Sequence, residues 1–290
     1  MPADLIIEVA ETQREAPSLL RRLAPHLILP RGMCTLALYF QIFPDYPVVV
    51  AANRDEYLNR PSTAPVVLQP TPWIFGGKDL IAGGTWLGVN AHGLVAGMLN
   101  RHTPQPADPR RRSRGLLSLD ALQAPSAHQA STSVQHQPAD RYNPFNLLLV
   151  DSQAAYVVYP IERTIRVQQL EPGVHLLTNM NLNDPECPKI AHSFQYFQTV
   201  AEKMTTAPQA SFSLTELFRL LHERLADHTT PLDPRTEDPR NGLCIHLDGY
   251  GTCSSTLLAY SSRQRRFIYH FAPGAPCQTD YSEVSLPSGP

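Results

Sequence analysis

In the stretch MCTLALYFQIFPDYPVVVAANRDE, Cys34 stands before one apolar run and Arg54-Asp55 stands after the next. These residue types could together make a nucleophilic centre. A thiol attacks carbonyls once deprotonated, and a nearby guanidinium lowers its pKa. A carboxylate orients an amine or ammonium through a charge-assisted hydrogen bond. Were Cys34 the first residue, its α-amine, with a pKa of about 7.7–8, would add a general base suited to neutral pH. With Met33 attached, that base is absent and only the thiol remains. The plainer account of such a cysteine is a small buried hydrophobe, and that of Asn-Arg-Asp after a strand is a solvated turn.

The flanking runs decide whether these groups meet. Residues 35–43 and 46–53 are rich in branched and aromatic side chains and predict two strands joined at Pro44-Asp45. An antiparallel hairpin there puts Cys34 opposite Asp55, within one residue, and facing Cα atoms are about 5 Å apart. Asn90-Ala91-His92-Gly93 predicts a second hairpin turn, with Gly93 at a position of positive φ. Strand texture returns in NLLLVD, AAYVVY, TIRVQQL, GVHLLTN, STLLAYS and RFIYHF. SLTELFRLLHERLADH predicts a helix capped by Ser213, with Leu217, Leu220, Leu221 and Leu225 on one face. Residues 5–28 predict a short amphipathic helix interrupted at Pro17 and Pro25. Residues 103–113 read as a polar loop whose Arg110–Arg112 run is a solvated face, and 124–142 as a mobile loop. Many strands with few covering helices predict an α+β layered domain.

Composition narrows the class. The chain has 290 residues, 42% of them apolar, and a net charge of −2. That supports a buried core and gives no global field for nucleic acid. No apolar run approaches the roughly 18 residues of a membrane span. Residues 1–33 carry Asp4, Glu8, Glu11 and Glu15 and lack the pattern of a secretory signal. Cys34, Cys187, Cys244, Cys253 and Cys277 form no CxxC pair, so neither a metal site nor a disulfide framework is expected. A reducing, cytoplasmic setting follows.

Six ordered segments carry a resemblance. ANRDE after a Met-Cys start, GGTWLGVNAHGLVAGMLNRH, SRGLL, YNPFNLLLVD, GVHLLTNMNLNDPECPK and CIHLDGYGTCSST together resemble the NRDE family, also called the transport-and-Golgi-organisation type 2 family, over residues 33–285. Members resemble N-terminal-nucleophile (Ntn) hydrolases. The resemblance implies an αββα four-layer sandwich in one domain over 34–285, after a leader (1–33) that is a mis-assigned start or a propeptide, and before a tail (286–290). The nearest chemical relatives are cysteine Ntn amidases, the bile-salt hydrolases and penicillin V acylases. By that likeness Cys34 is the nucleophile, flanked by Arg54 and Asp55. Asn100 resembles the oxyanion-hole amide and Asn179 the second site asparagine. A donor aimed at a developing oxyanion is worth about 2.7–4 kcal/mol. One departure stands out: Cys253 occupies the place where the family usually has arginine.

Two functions are implied. One is a cofactor-free hydrolase acting on a linear amide (C–N) bond of a small molecule. The other is a non-catalytic protein of haem, lipid or acyl-CoA trafficking, with haem as possible cargo. A degenerate Ntn site is a third, duller account. His92, His102 and His246 are haem-ligand candidates by residue type alone.

Overall fold

The first hairpin forms where its sequence predicts. In the computed structural model, which describes residues 33–206, 212–229 and 239–286, β1 (Thr35–Phe43) pairs antiparallel with β2 (Tyr46–Tyr57). The helix expected over 5–28, the leader up to residue 32 and the tail from 287 lie outside the described residues. Phe43 faces Tyr46 at the turn, whereas Thr35 faces Asn53 at the far end. The one-residue difference is a bulge at Gln41, whose φ is 51°. Continuing the register therefore sets Cys34 across from Arg54, with Asp55 next along.

Both faces of this hairpin are apolar, which is why its strands read as unbroken runs. Leu36, Leu38, Phe40, Val48 and Val50 point to one core; Ala37, Tyr39, Phe43, Val49 and Ala51 point to another. Alternation along a strand sends successive side chains to opposite faces, so such a sheet must be covered on both. Each fully buried Val, Leu or Phe contributes about 1.5–3 kcal/mol.

The first sheet runs β10 (Gly173–Leu177), β1, β2, β12 (Tyr250–Ser261), β13 (Arg266–Ala272), β14 (Ser282–Glu283), with β11 (His246–Leu247) paired to β12. The second is a meander in chain order: β3 (Val66–Pro70), β4 (Trp73–Gly76), β5 (Leu87–Asn90), β6 (Val95–Asn100), β7 (Phe145–Val150), β8 (Ala155–Ile161) and β9 (Thr164–Leu170). Gly93, at φ 87°, makes the predicted β5–β6 turn. Helices α3 (Pro188–Thr206) and α4 (Leu214–Leu225) cover the first sheet; α1 (Arg114–Ala121) and α2 (Ala127–Gln135) cover the second. The result is the α+β, αββα four-layer sandwich.

Helix α4 matches its prediction, with Ser213 Oγ accepting from Glu216 N and the four named leucines buried. The loop expected over 124–142 is corrected. It contains α2, capped by Ser126, which buries Ala127, Ala130, Ser131 and Val134 against the second sheet. The spacing is helical, but small side chains hid the apolar face. The arginine run is also less free than expected, because Arg112 pairs with Asp120 at 2.6 Å and Arg111 Nη1 donates to Tyr142 O at 2.9 Å.

Two close approaches position the site. A β-carbon on Gly97 would lie 2.6 Å from Leu36 Cδ1, so β6 crosses directly over β1. A β-carbon on Gly84 would lie 2.2 Å from the Gly115 carbonyl carbon, and Thr85 N donates to Gly115 O at 3.1 Å. The GGTW and SRGLL segments are thereby locked together, and Trp86 is aimed inward.

Candidate active site

Cys34 immediately precedes β1 and packs against the core between the sheets. The backbone of Asp55 holds its sulfur on two sides: Asp55 N donates to Sγ at 3.3 Å, and the thiol donates to Asp55 O at 3.4 Å. Arg54 is 7% exposed and lays its guanidinium 4.5 Å from the centre of the Trp86 ring. Its Nη1 is buried and has no hydrogen-bond partner. Trp86 also leans on Gly77, where a β-carbon would lie 2.3 Å from the indole.

The Asp55 carboxylate turns away from the sulfur. Thr252 Oγ1 donates to Oδ1 at 2.7 Å and Lys189 Nζ donates to Oδ2 at 3.2 Å. Lys189 is wholly buried in the first turn of α3 and also donates to the carbonyl oxygen of Met33. Sequence reasoning missed this lysine. It closes the segment NDPECPK just inside a helix, where a lone lysine usually reads as solvated. A proline at its N1 position was the only local signal.

Electrostatics correct one expectation. Arg54 was expected to lower the Cys34 pKa, yet the thiol is pushed up to about 12. Burial is the largest cause and the Asp55 charge the next, while Arg54 is the smallest of the opposing influences. The residue keeps some solvent access, but its dense surroundings disfavour the thiolate. Asp55 is itself held above the ordinary carboxylate range, because burial outweighs the attraction of Lys189 and the Thr252 hydrogen bond.

A small cleft opens beside Cys34. Arg54 and Ser254 come from the first sheet; Trp86, Leu87, Met98 and Leu99 come from the second. Asn100 is the last residue of β6, directly after Leu99, and is half-buried. Asn179 is buried two residues beyond β10 and, by continuation of the β1–β10 register, lies across from Cys34. His102 N donates to Asn179 O at 2.7 Å, which ties the ends of β6 and β10 together across the sandwich. Both asparagines thus sit at the Cys34 end, although neither lines the cleft.

Cys253 is the extra residue of a bulge: Thr252 faces Asp55, Ser254 faces Arg54, and Cys253 lies between them. Its Sγ donates to Glu56 O at 3.4 Å. His92 and His102 are exposed and away from the cleft, while His246 belongs to a separate cluster of cysteines and histidines.

A family model described as Transport and Golgi organisation 2 matches residues 33–270. The chain belongs to the Transport and Golgi organisation 2 family. The Transport and Golgi organization 2 homolog of Mus musculus is 28% identical over 231 residues, covering 73% of this chain and 82% of the mouse protein. Among solved structures, a variant of conjugated bile acid hydrolase from Clostridium perfringens superposes with a TM-score of 0.51 at 12% identity, covering 86% of this chain and 92% of that one. Penicillin V acylase from Agrobacterium tumefaciens gives a TM-score of 0.51 at 12% identity and covers 83% of each chain. At such identity the likeness concerns fold, and that fold is of the Ntn-hydrolase type. This member of the family therefore has an Ntn-type sandwich with Cys34 at the start of β1. Among the described residues no helix is long and apolar enough to cross a membrane.

Proposed function

We propose that this family member is a cysteine amidohydrolase that cleaves a linear amide bond once its chain begins at Cys34. The observation that carries the reading is a thiol and a buried unpartnered guanidinium nitrogen on one apolar cleft, with the sulfur held by the backbone of Asp55, whose buried carboxylate pairs with Lys189. The names of the two solved relatives, a hydrolase of conjugated bile acid and an acylase of penicillin V, agree with it. The fitting substrate has an apolar acyl group in the cleft and a polar group for Arg54 Nη1.

Removing everything before Cys34 releases its α-amine beside Lys189, which donates to the Met33 carbonyl. A neighbouring cation lowers an amine's pKa and keeps it a free base. That amine takes the thiol proton as Sγ attacks the substrate carbonyl, with Asn100 and Asn179 as oxyanion donors. Collapse of the tetrahedral intermediate breaks the C–N bond, and the ammonium returns the proton to the leaving amine. Water, deprotonated by the same amine, then cleaves the thioester. No cofactor is required, and a reducing cytoplasmic setting keeps the thiol available.

The test is N-terminal sequencing of the protein from its native host, followed by incubation with N-acyl amides of apolar acids. A chain starting at Cys34, with an acyl adduct in the wild type and none in Cys34→Ala, is the expected result. A native chain that retains Met33 would overturn the reading, as would a Cys34-started chain that neither releases amine nor gains acyl mass.

One observation favours a second reading, a non-catalytic carrier of a lipid, acyl-CoA or haem. With Met33 attached the thiol is chemically quiet, yet the apolar cleft is already formed. Cys34 is of haem-ligating type and packs at the core beside this cleft. A Soret band on mixing with haem, lost in Cys34→Ala, would favour haem carriage.

A further inference from the structure

Four residues that no sequence motif groups together meet at one edge of the first sheet. His228 follows α4, Cys244 and His246 flank Ile245 at the start of β11, and Cys277 lies between β13 and β14. Their ligand-type atoms all lie within 4.8 Å of one another. Cys244 Sγ is 3.5 Å from Cys277 Sγ, and His246 Nε2 is 3.1 Å from Cys277 Sγ and 3.8 Å from Cys244 Sγ. Around a tetrahedral zinc ion, bonds of about 2.3 Å to sulfur and about 2.0–2.1 Å to nitrogen set ligand-to-ligand edges of roughly 3.3–3.8 Å. The separations among Cys244, His246 and Cys277 lie close to that range, and all four atoms fall within 4.8 Å, so one ion at their centre would require about an ångström of adjustment.

We propose that His228, Cys244, His246 and Cys277 bind one Zn(II) ion as a structural Cys2His2 site. Two soft thiolates with two imidazoles suit zinc over magnesium or calcium, which prefer oxygen ligands. Four protein ligands complete a tetrahedron, which marks a structural centre, whereas catalytic zinc keeps a position for water. The outer shell is also in place: His228 Nδ1 donates to the Cys244 carbonyl at 3.1 Å, leaving Nε2 with its lone pair. Such a bond fixes the tautomer of a metal-bound histidine. Cys244 is buried while the other three are exposed, so the ion has a path from solvent.

The proposal departs from the sequence expectation of no metal site. The five cysteines are scattered along the chain, but the sheet edge gathers two of them with two histidines drawn from three segments. Cys244-Ile245-His246 was the only local signal.

The site has a consequence for the cleft. Ile245, between two of the ligands, donates its N–H to Thr252 Oγ1 at 3.0 Å and accepts from Thr252 N at 2.9 Å. Thr252 in turn donates to the Asp55 carboxylate. Zinc would thus pin the strand that holds Asp55 without touching substrate.

The test uses the full chain, purified with reductant and loaded with zinc alone, then with cobalt as a spectroscopic probe. One zinc per chain by mass spectrometry is expected, together with the thiolate-to-cobalt charge-transfer absorption of a tetrahedral site. Cys277→Ser and His228→Ala, both at exposed positions, should each weaken zinc retention at least about tenfold. Should either variant fail to fold, the cobalt spectrum of the wild-type chain decides alone. The proposal is overturned if the reduced, folded wild type takes up neither metal. Equal binding by wild type and both folded variants would overturn it too, as would a Cys244–Cys277 disulfide that persists under the reducing preparation.

Discussion

Lys189 and Asp55 form an ion pair with Nζ 3.2 Å from Oδ2 and neither side chain exposed to solvent. Taking two charges out of water is costly, and each is tolerated because the other is there. Lys189→Met leaves a buried carboxylate with only the Thr252 hydroxyl, and the expected loss of stability is about 3–5 kcal/mol. The double variant Lys189→Met with Asp55→Asn should recover part of that loss, since no charge is then stranded. Urea denaturation of the four proteins in this cycle measures it. Additive losses would mean that the pair is not coupled.

The Asp55 carboxyl also predicts a pH dependence. Its folded-state pKa is raised above the ordinary 3.8, so the folded protein holds that proton more tightly than the unfolded chain does. Stability from this group is therefore fullest below the unfolded value and declines as pH rises from there through the raised folded value. Asp55→Asn should remove that decline from the stability–pH curve. An unchanged slope in the variant would assign it to another group.

With Met33 attached, Cys34 should be a poor nucleophile. A thiol pushed up to about 12 carries, at pH 8, on the order of 10³-fold less thiolate than an ordinary cysteine of pKa about 8.5. Alkylation by iodoacetamide, followed residue by residue by mass spectrometry, should be correspondingly slow at Cys34. Asp55→Asn removes a negative neighbour and should speed it, whereas Arg54→Met removes a positive one and should slow it. The opposite signs would show that the local charges do not govern the thiol.

Trp86 touches both Gly77 and the Arg54 guanidinium, and a side chain at 77 would have to displace the indole. Gly77→Ala should cost about 1–3 kcal/mol through overpacking. It should also change tryptophan fluorescence, because the protein has only two tryptophans and Trp73 lies elsewhere in the core. A fluorescence spectrum and stability like those of the wild type would show that Trp86 can shift freely.

Much of the fold was legible where side chains are large and the period is clear. The β1–β2 hairpin could be read from its branched and aromatic runs, and α4 from its leucines and the Ser213 cap. Helix α2 escaped because alanine and serine fill its buried face. The register of Cys34 was uncertain by one residue because the bulge at Gln41 leaves no mark in the sequence. Within the site, Cys34, Arg54 and Asp55 are neighbours along one hairpin and could be placed together. Lys189 reaches them from α3, and its partners are tertiary. The same holds for His228 and Cys277, which are far apart in sequence and brought together by the fold.

The cleft beside Cys34 has one wall on each sheet, with Arg54 on the first and Trp86 and Met98 on the second. Neither sheet alone offers a binding surface, so a molecule that fills the cleft binds the assembled sandwich and not the separated layers. Occupancy and unfolding are then linked by mass action: a ligand at about 100 times its Kd adds about 2.7 kcal/mol to the unfolding free energy. A rise in melting temperature would report an occupant before its chemistry is known. Time then separates the two functions. A carried cargo keeps the melting temperature raised indefinitely, whereas a hydrolysed substrate lets it fall back as the pool is consumed.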